Sequence, residues 1–272
     1  MPRRNSILLL TVFVVTGCVA QRNYTTADGP RYLGMAPPHV STPPPSDTLR
    51  VVSFNIEYAL QPESALVVLR TEPALRDADI ILLQEMDAAS TRYLARTLGM
   101  WFVYYPATLH LRHHRDFGNA VLSRWPIVAD RKIMLPHHAR FIGTARTATA
   151  ASIRVGTEDV RVYSTHLGTY ANINRDQRRA QLQAILDDAR SYSRVILGGD
   201  MNDPAVGEVA TEHGYTWPTR KGPRTAAVGR LDHIFIKGLF TPDTAAAGTV
   251  LDVHEASDHR PVWAIALLRK AK

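Results

Sequence analysis

Short apolar runs, rich in Val and Ile and bounded by Gly, Pro, Asp or Asn, recur from Leu49 to Leu268. Such runs have the length of strands rather than of core helices, and this constrains the fold more than any other feature of the chain. They fall at Leu49–Phe54, Ile80–Leu83, Phe102–Tyr105, Ala120–Leu122, Ile127–Leu135, Ala148–Val155, Val160–Ser164, Val195–Leu197, Leu231–Ile236, Gly248–Val253 and Val262–Leu268. Helical patterns lie between some of them. Glu63–Arg76 opens after Pro62, and Ser90–Leu98 has a Ser cap and Gly99 as its stop. Arg175–Arg190 carries Leu182, Ile185, Leu186 and Ala189 on one face. Many short strands with few helices predict a four-layer α/β sandwich, two packed mixed β-sheets flanked by helices. Loops after the strands then gather at one rim.

At 272 residues and 45% hydrophobic content, the chain can bury one large core or two modest ones. Its formal charge of +7 is compatible with an anionic substrate but does not by itself indicate nucleic-acid binding. No internal repeat is visible. The single cysteine, Cys18, excludes a disulfide within the chain, so the core must hold the fold even in an oxidising compartment.

Cys18 is informative through its position. Arg3-Arg4 forms a positive segment, Ile7–Val15 is apolar, and Thr16-Gly17-Cys18 follows. The apolar run is shorter than the ~20 residues of a stable membrane span. Val15-Thr16-Gly17-Cys18 resembles the bacterial lipobox, which implies a signal peptide over residues 1–18 and lipidation at Cys18. An ordinary secretory signal is the alternative. The resemblance implies an extracytoplasmic, membrane-anchored lipoprotein, and Val19 after the cysteine points to the outer membrane by likeness to sorted lipoproteins. Residues 19–48, with Pro30, Pro37, Pro38 and Pro43-Pro44-Pro45 among Ser, Thr and Gly, read as an extended tether. Such a tether would hold a globular domain, residues 49–272, away from the membrane. A monomer is expected.

The strand ends carry the chemistry. Glu85 closes Ile80-Ile81-Leu82-Leu83-Gln84, where its carboxylate suits a hard divalent cation such as magnesium or serves a strand-end salt bridge. Asn55 ends the first strand. It can orient a ligating carboxylate, donate to a phosphate oxygen, or simply turn the chain. In Gly198-Gly199-Asp200-Met201-Asn202, Asp200 and Asn202 can face one site on extended backbone and hold a water and a phosphate oxygen, or form a plain turn. His166 and His259 follow Ser164-Thr165 and Ser257-Asp258, and imidazole is the usual proton-transfer group near neutrality. Asp232 stands where a buried carboxylate could fix a catalytic imidazole. Its neighbour His233 alternates to the other face and reads as structural. His113-His114 and His137-His138 read as solvated loop residues, lacking zinc-motif spacing or Cys partners.

Together these motifs resemble, in order, those of the endonuclease/exonuclease/phosphatase superfamily with its deoxyribonuclease I-like fold, from about Leu49 to Arg269. The resemblance implies that Asn55 and Glu85 belong to the metal site with Asp258 nearby, binding magnesium or, in its place, manganese. It implies that His166 binds phosphate, that Asp200 and Asn202 match the Gly-Asp-x-Asn element, and that Asp232 orients His259 as general base. Phe117-Gly118-Asn119-Ala120 matches a family strand whose Gly-Asn is architectural, and Arg146 is a phosphate clamp by position. The implied activity is metal-dependent phosphoester hydrolysis, most readily of a phosphodiester. The substrate is a nucleic acid or a lipid head group, a sphingomyelinase-like reading being one alternative and a non-catalytic phosphate-binding module another. His233 stands where many relatives have Tyr. The chain lacks the long hydrophobic hairpin of secreted sphingomyelinases and the long basic loop of DNA-repair members. Arg220, Lys221 and Arg224 are the best remaining candidates for nucleic-acid contact, with a solvated loop as the alternative.

Overall fold

Along β2 (Thr48–Asn55), Leu49 and Val51 face one way and Val52 and Phe54 the other, and all four are fully buried. A strand apolar on both faces must lie between two layers, as period-two alternation requires. The computed structural model describes residues 22–242 and 246–269; the leader and Cys18 lie outside them.

Seven strands form the larger sheet. In spatial order they are β1 (Tyr32–Gly34), β4 (Trp101–His110), β5 (Arg115–Ser123), β3 (Ile80–Met86), β2, β12 (Val262–Leu267) and β11 (Ala247–Thr249). The five-stranded sheet runs β10 (Asp232–Lys237), β9 (Val195–Asp200), β8 (Glu158–His166), β7 (Thr147–Val155), β6 (Ile127–Met134). Both sheets are mixed, since β2 pairs with β3 and β8 with β9 in parallel while the other neighbours are antiparallel.

The two inner faces meet through Val51, Leu82, Val121, Val162, Ile196, Ile234 and their neighbours. On the outside of the larger sheet, α1 (Pro62–Thr71) and α2 (Ala88–Leu98) cover Phe54, Leu83 and Tyr104 with Leu66, Leu69 and Leu94. On the outside of the smaller sheet, α3 (Arg175–Ala189) and α4 (Gly207–Glu212) cover Tyr163, Leu197 and Phe235 with Leu182, Leu186 and Val209. The expected four layers are therefore present. Each leucine-sized side chain moved from water into them contributes about 1.5–3 kcal/mol, so the apolar layers outweigh any surface ion pair.

Element ends moved for local reasons. The first helix, expected to reach Arg76, stops at Thr71, because Glu72 precedes Pro73 and takes an extended conformation. Helix α2 begins at Ala88, two residues earlier than Ser90, its N-terminus held by the Asp87 carboxylate accepting from the Ser90 N–H. The strand expected over Gly248–Val253 ends at Thr249, and the chain beyond turns through His254 and Glu255, both at positive φ. Strand β4 runs much further than Phe102–Tyr105 by bulging between Pro106 and Thr108, where proline has no N–H to offer the ladder.

The expected tether departs most. Residues 22–47 are largely extended, as their prolines require, but they lie against the body. Tyr32–Gly34 adds an edge strand to β4. Arg31 pairs with Asp130 at 2.6 Å, and buried Lys132 donates to the Tyr24 and Gly29 carbonyls. Pro43 accepts from the Trp125 indole.

Candidate active site

Three strand ends of the smaller sheet line up in register. His166 is opposite Asp200 across the parallel β8–β9 pair, and Asp200 is opposite Asp232 across β9–β10. Neighbouring residues on one face of a sheet lie within reach of one another, so the row imidazole, carboxylate, carboxylate follows from pairing alone. The strands approach this closely because Gly199, at φ +151°, has no Cβ; one built there would sit 1.8 Å from the Thr165 carbonyl oxygen.

From the larger sheet come Asn55 and Glu85. Asn55 ends β2 on the inner face and is fully buried. Strict alternation along β3 would send Glu85 outward with Ile81 and Leu83, which pack under the helices. Instead the β3–β5 register shifts between Leu83 and Met86, and Glu85 takes φ +60°. This bulge turns the carboxylate inward, as bulges beside active sites do.

The two sheets are joined at this end by amide hydrogen bonds. Asn55 Nδ2 lies 3.2 Å from both Glu85 Oε1 and Asp200 Oδ2, donating to the two carboxylates. Its Oδ1 accepts from the Glu57 N–H at 3.1 Å. Asn55 therefore fixes the orientation of two acidic side chains. Beneath it, Gln84 Nε2 donates to Ser164 Oγ at 3.0 Å and Ser53 Oγ donates to Gln84 Oε1, a buried polar floor.

His166 and Asn202 are locked together. Asn202 Nδ2 donates to the Leu167 carbonyl at 3.0 Å and lies 2.9 Å from His166 Nε2. A carbonyl only accepts, so the amide group facing it is NH2, and His166 Nε2 must accept too. The proton then resides on Nδ1, which is buried without a hydrogen-bond partner, 3.6 Å from Glu85 Oε1. Burial first, then the Arg146 and His259 charges, holds the His166 pKa well below the ordinary histidine range. It is a neutral N–H donor, not a cation. Asn202 reaches it from a left-handed backbone (φ +48°), its own N–H donating to Asp200 Oδ1.

His259 precedes β12 on a loop tied down by Ser257, whose hydroxyl donates to the Asn55 carbonyl and accepts the His259 N–H. Its Nδ1 is 2.8 Å from Asp232 Oδ2, and its Nε2 is 3.8 Å from Asp200 Oδ2. Burial disfavours the charged ring, but Asp232, Asp200 and Asp258 together raise its pKa to about 10. Asp200 is pushed up to about 7 by burial and the Asp232 charge, and burial likewise raises Glu85.

A cation belongs among these groups on the chemistry of the donors. Asp200, Asp232 and His259 bring ligand atoms within 4.8 Å of one another, and Asp232 Oδ1 is buried without a partner. Glu85 adds a further oxygen across the cleft from Asp200, both held by the Asn55 amide. Crowded carboxylates, two of which (Asp200 and Glu85) burial makes reluctant to ionise, fit a hard divalent ion. Of the residues expected as ligands, Glu85 faces this cluster. Asn55 turns its NH2 rather than its oxygen toward the carboxylates, and Asp258 is exposed, its charge acting on His259. Sequence reasoning did not place Asp200 or Asp232 among candidate ligands; their cross-strand register brings them together beside His259, where they could hold an ion.

Arg146, inferred from position alone, is buried beside Glu85 and Asp200, its guanidinium 5.1 Å over the Phe117 ring and Nη1 without a partner. Sequence reasoning missed Tyr58. Glu57, Tyr58 and Ala59 all take positive φ, each at about 1–2 kcal/mol for a non-glycine residue. The turn lets the Tyr58 N–H donate to Glu85 Oε2 at 2.9 Å and stacks its ring on His110 and His113. Consecutive non-glycine residues at positive φ leave no signature in composition.

The remaining expectations are quickly placed. His233 is buried, accepts from the Trp217 indole at 3.2 Å, and is held neutral by burial with its pKa lowered to about 4, a structural residue. Asn119 Nδ2 donates to the Thr147 carbonyl, the architectural role expected of it. His114, His137 and His138 are exposed, whereas His113 packs on Tyr58. Arg220 is paired with Glu208 at 2.6 Å, while Lys221 and Arg224 are exposed.

A sandwich of two mixed sheets carrying acidic, amide and imidazole groups at one rim is the deoxyribonuclease I-like class of fold. The sequence model of the Endonuclease/Exonuclease/phosphatase family matches residues 52–259, and the chain belongs to that family, whose members are typically hydrolases of phosphoesters. Among solved structures, an endonuclease/exonuclease/phosphatase from Beutenbergia cavernae DSM 12333 is 23% identical, with a TM-score of 0.66 over 81% of this chain and 72% of its own. D. rerio TDP2 complexed with a single-strand DNA product is 18% identical, TM-score 0.62, covering 81% and 99%. The human Nocturnin catalytic domain with a bound sulfate anion is 20% identical, TM-score 0.60, covering 81% and 94%. No curated protein sequence matches the chain.

Proposed function

We propose that the chain is a magnesium-dependent phosphodiesterase. The observation that carries this is the His259–Asp232 pair at 2.8 Å, with the far side of the imidazole turned toward Asp200 and the buried donors beyond it. A bound divalent ion on Glu85, Asp200 and Asp232 would polarise the phosphoryl group and offset the carboxylate charge that keeps His259 protonated. The protein's own groups do the rest. Asp232 accepts from Nδ1 and leaves Nε2 of His259 to take a proton from the attacking water. Asp200 and Asn202 place that water. His166 Nδ1–H and Arg146 Nη1, both buried and unpaired, donate to the phosphoryl oxygens where charge develops.

The DNA product held by D. rerio TDP2 and the sulfate held by human Nocturnin, proteins of similar fold, support a phosphate-bearing ligand. The lipobox-like segment supports anchoring through Cys18 at an extracytoplasmic membrane face. The test is hydrolysis by the purified protein of single-stranded DNA, RNA, sphingomyelin and bis(4-nitrophenyl) phosphate with magnesium and then with chelator. Magnesium-dependent cleavage of at least one diester is expected. Chelator-resistant cleavage, or none of any ester, contradicts the reading.

A further inference from the structure

The expected tether folds back on the body, and this changes where an anchor at Cys18 places the molecule. Residues 22–47 run the whole length of the larger sheet. Pro43 contacts Trp125 at the end remote from the site, Tyr32–Gly34 pairs with Tyr104–Phe102 midway, and Arg22–Tyr24 reaches the site end. There the Arg22 carbonyl accepts from the Leu109 N–H at 2.8 Å and the Tyr24 N–H donates to the Ala107 carbonyl at 2.9 Å. Asn23 bonds twice to the loop before β7, Nδ2 donating to Gly143 at 2.8 Å and Oδ1 accepting from the Ala145 N–H at 3.0 Å. Tyr24 OH donates to Asp116 at 2.7 Å, closing the clasp.

The first described residues therefore lie at the rim of the active site, between two exposed loops. One is the β4–β5 turn, with Arg112 exposed. The other carries Arg140, Phe141 and Ile142, and its two apolar side chains are 77% and 54% exposed. Two adjacent apolar side chains exposed together on a loop tip are the kind of surface that marks an interaction site. Cys18 is so close in sequence to Arg22 that the connecting links reach at most ~14 Å, at ~3.3–3.6 Å per residue.

We infer that the Phe141-Ile142 tip, flanked by Arg22, Arg112 and Arg140, is the surface on which this protein rests against an anionic lipid bilayer, with its active-site mouth facing the membrane. Apolar tips enter the head-group boundary while arginines at their base meet lipid phosphates, the usual composition of interfacial contacts. The reach of the anchor selects this face over the others. Of the carboxylates nearby, Asp87 lies 3.6 Å from Arg115, and Asp116 keeps its charge while accepting from Tyr24, so the basic excess at this face rests on Arg22, Arg112 and Arg140. The inference depends on Cys18 for its distance argument and is independent of the hydrolytic reading.

The test labels full-length protein carrying Phe141→Cys with an environment-sensitive fluorophore, in vesicles of phosphatidylglycerol and phosphatidylcholine containing a head-group spin label. Val128→Cys, exposed at the start of β6 and remote from the site, is the comparison. A blue shift and at least halved emission at position 141, with neither at 128, is expected, and Arg112→Glu with Arg140→Glu should diminish the response. Equal, water-like emission at both positions overturns the inference. Wild-type protein should take no label, since a lipidated Cys18 has no free thiol. Should it label, anchoring is wrong, and the same two positions are compared in Cys18→Ser protein with vesicles added. A response at 141 alone then still supports the surface, and none overturns it.

Discussion

Asp232 Oδ2 lies 2.8 Å from His259 Nδ1, and both are buried at the point where the two sheets meet. The contact fixes one tautomer of the ring and leaves Nε2 as its working nitrogen. Asp232→Asn preserves shape but offers an NH2 or a weaker acceptor, so the ring loses its orientation and its charge partner. The expected result is a kcat lower by about 10³–10⁴-fold with KM little changed, by analogy with other aspartate-oriented histidines. Steady-state kinetics decides it; a fall of less than tenfold would show that the pair only holds the loop.

Asn55 tests the carboxylate geometry. It bonds to Glu85 and Asp200 at once, so Asn55→Ala frees both. Metal affinity, measured by manganese titration calorimetry without substrate, should fall about 10–100-fold, the usual effect of losing a group that orients ligands. An unchanged affinity would place the ion elsewhere.

Gly199 tests the close approach of β8 and β9. A methyl group there meets the Thr165 carbonyl oxygen at 1.8 Å, on a backbone at φ +151°. Gly199→Ala should destabilise the fold by about 3 kcal/mol or more, read from chemical denaturation. A change within about 0.5 kcal/mol, typical of an unimportant site, would contradict the register described.

Lys132 predicts a pH dependence. Burial lowers its pKa from 10.5 to about 8, so between those values the unfolded chain holds more protons than the folded one. Its contribution to stability is complete above 10.5 and is lost as the pH falls through about 8. Wild type should therefore gain on Lys132→Met as the pH is raised through that window. Denaturation of both proteins at each end of it makes the comparison, and a constant difference refutes the assignment.

What the sequence made legible was whatever obeys a regular period. Asn55, His166 and Asp200 end well-formed strands and Asp232 begins one, so the alternation of their neighbours places them on the inner face. Glu85 was recognisable as a type at a strand end, but its direction depends on a bulge that alternation alone would have put on the wrong side. The left-handed turn at Tyr58 is invisible because it opposes local preference and is held by tertiary contacts to Glu85 and Arg115. The arm was misjudged because proline-rich composition reports extension, not what the extended chain lies on. Its docking rests on partners far along the sequence, Asp130 and Lys132.

The most direct test of the account is turnover of bis(4-nitrophenyl) phosphate by wild type and His259→Ala, each with magnesium and with chelator. Cleavage by wild type with magnesium only, reduced about 10³-fold or more in the variant whose fold is intact by circular dichroism, is the predicted result. Activity that survives either the chelator or the loss of the imidazole would contradict it.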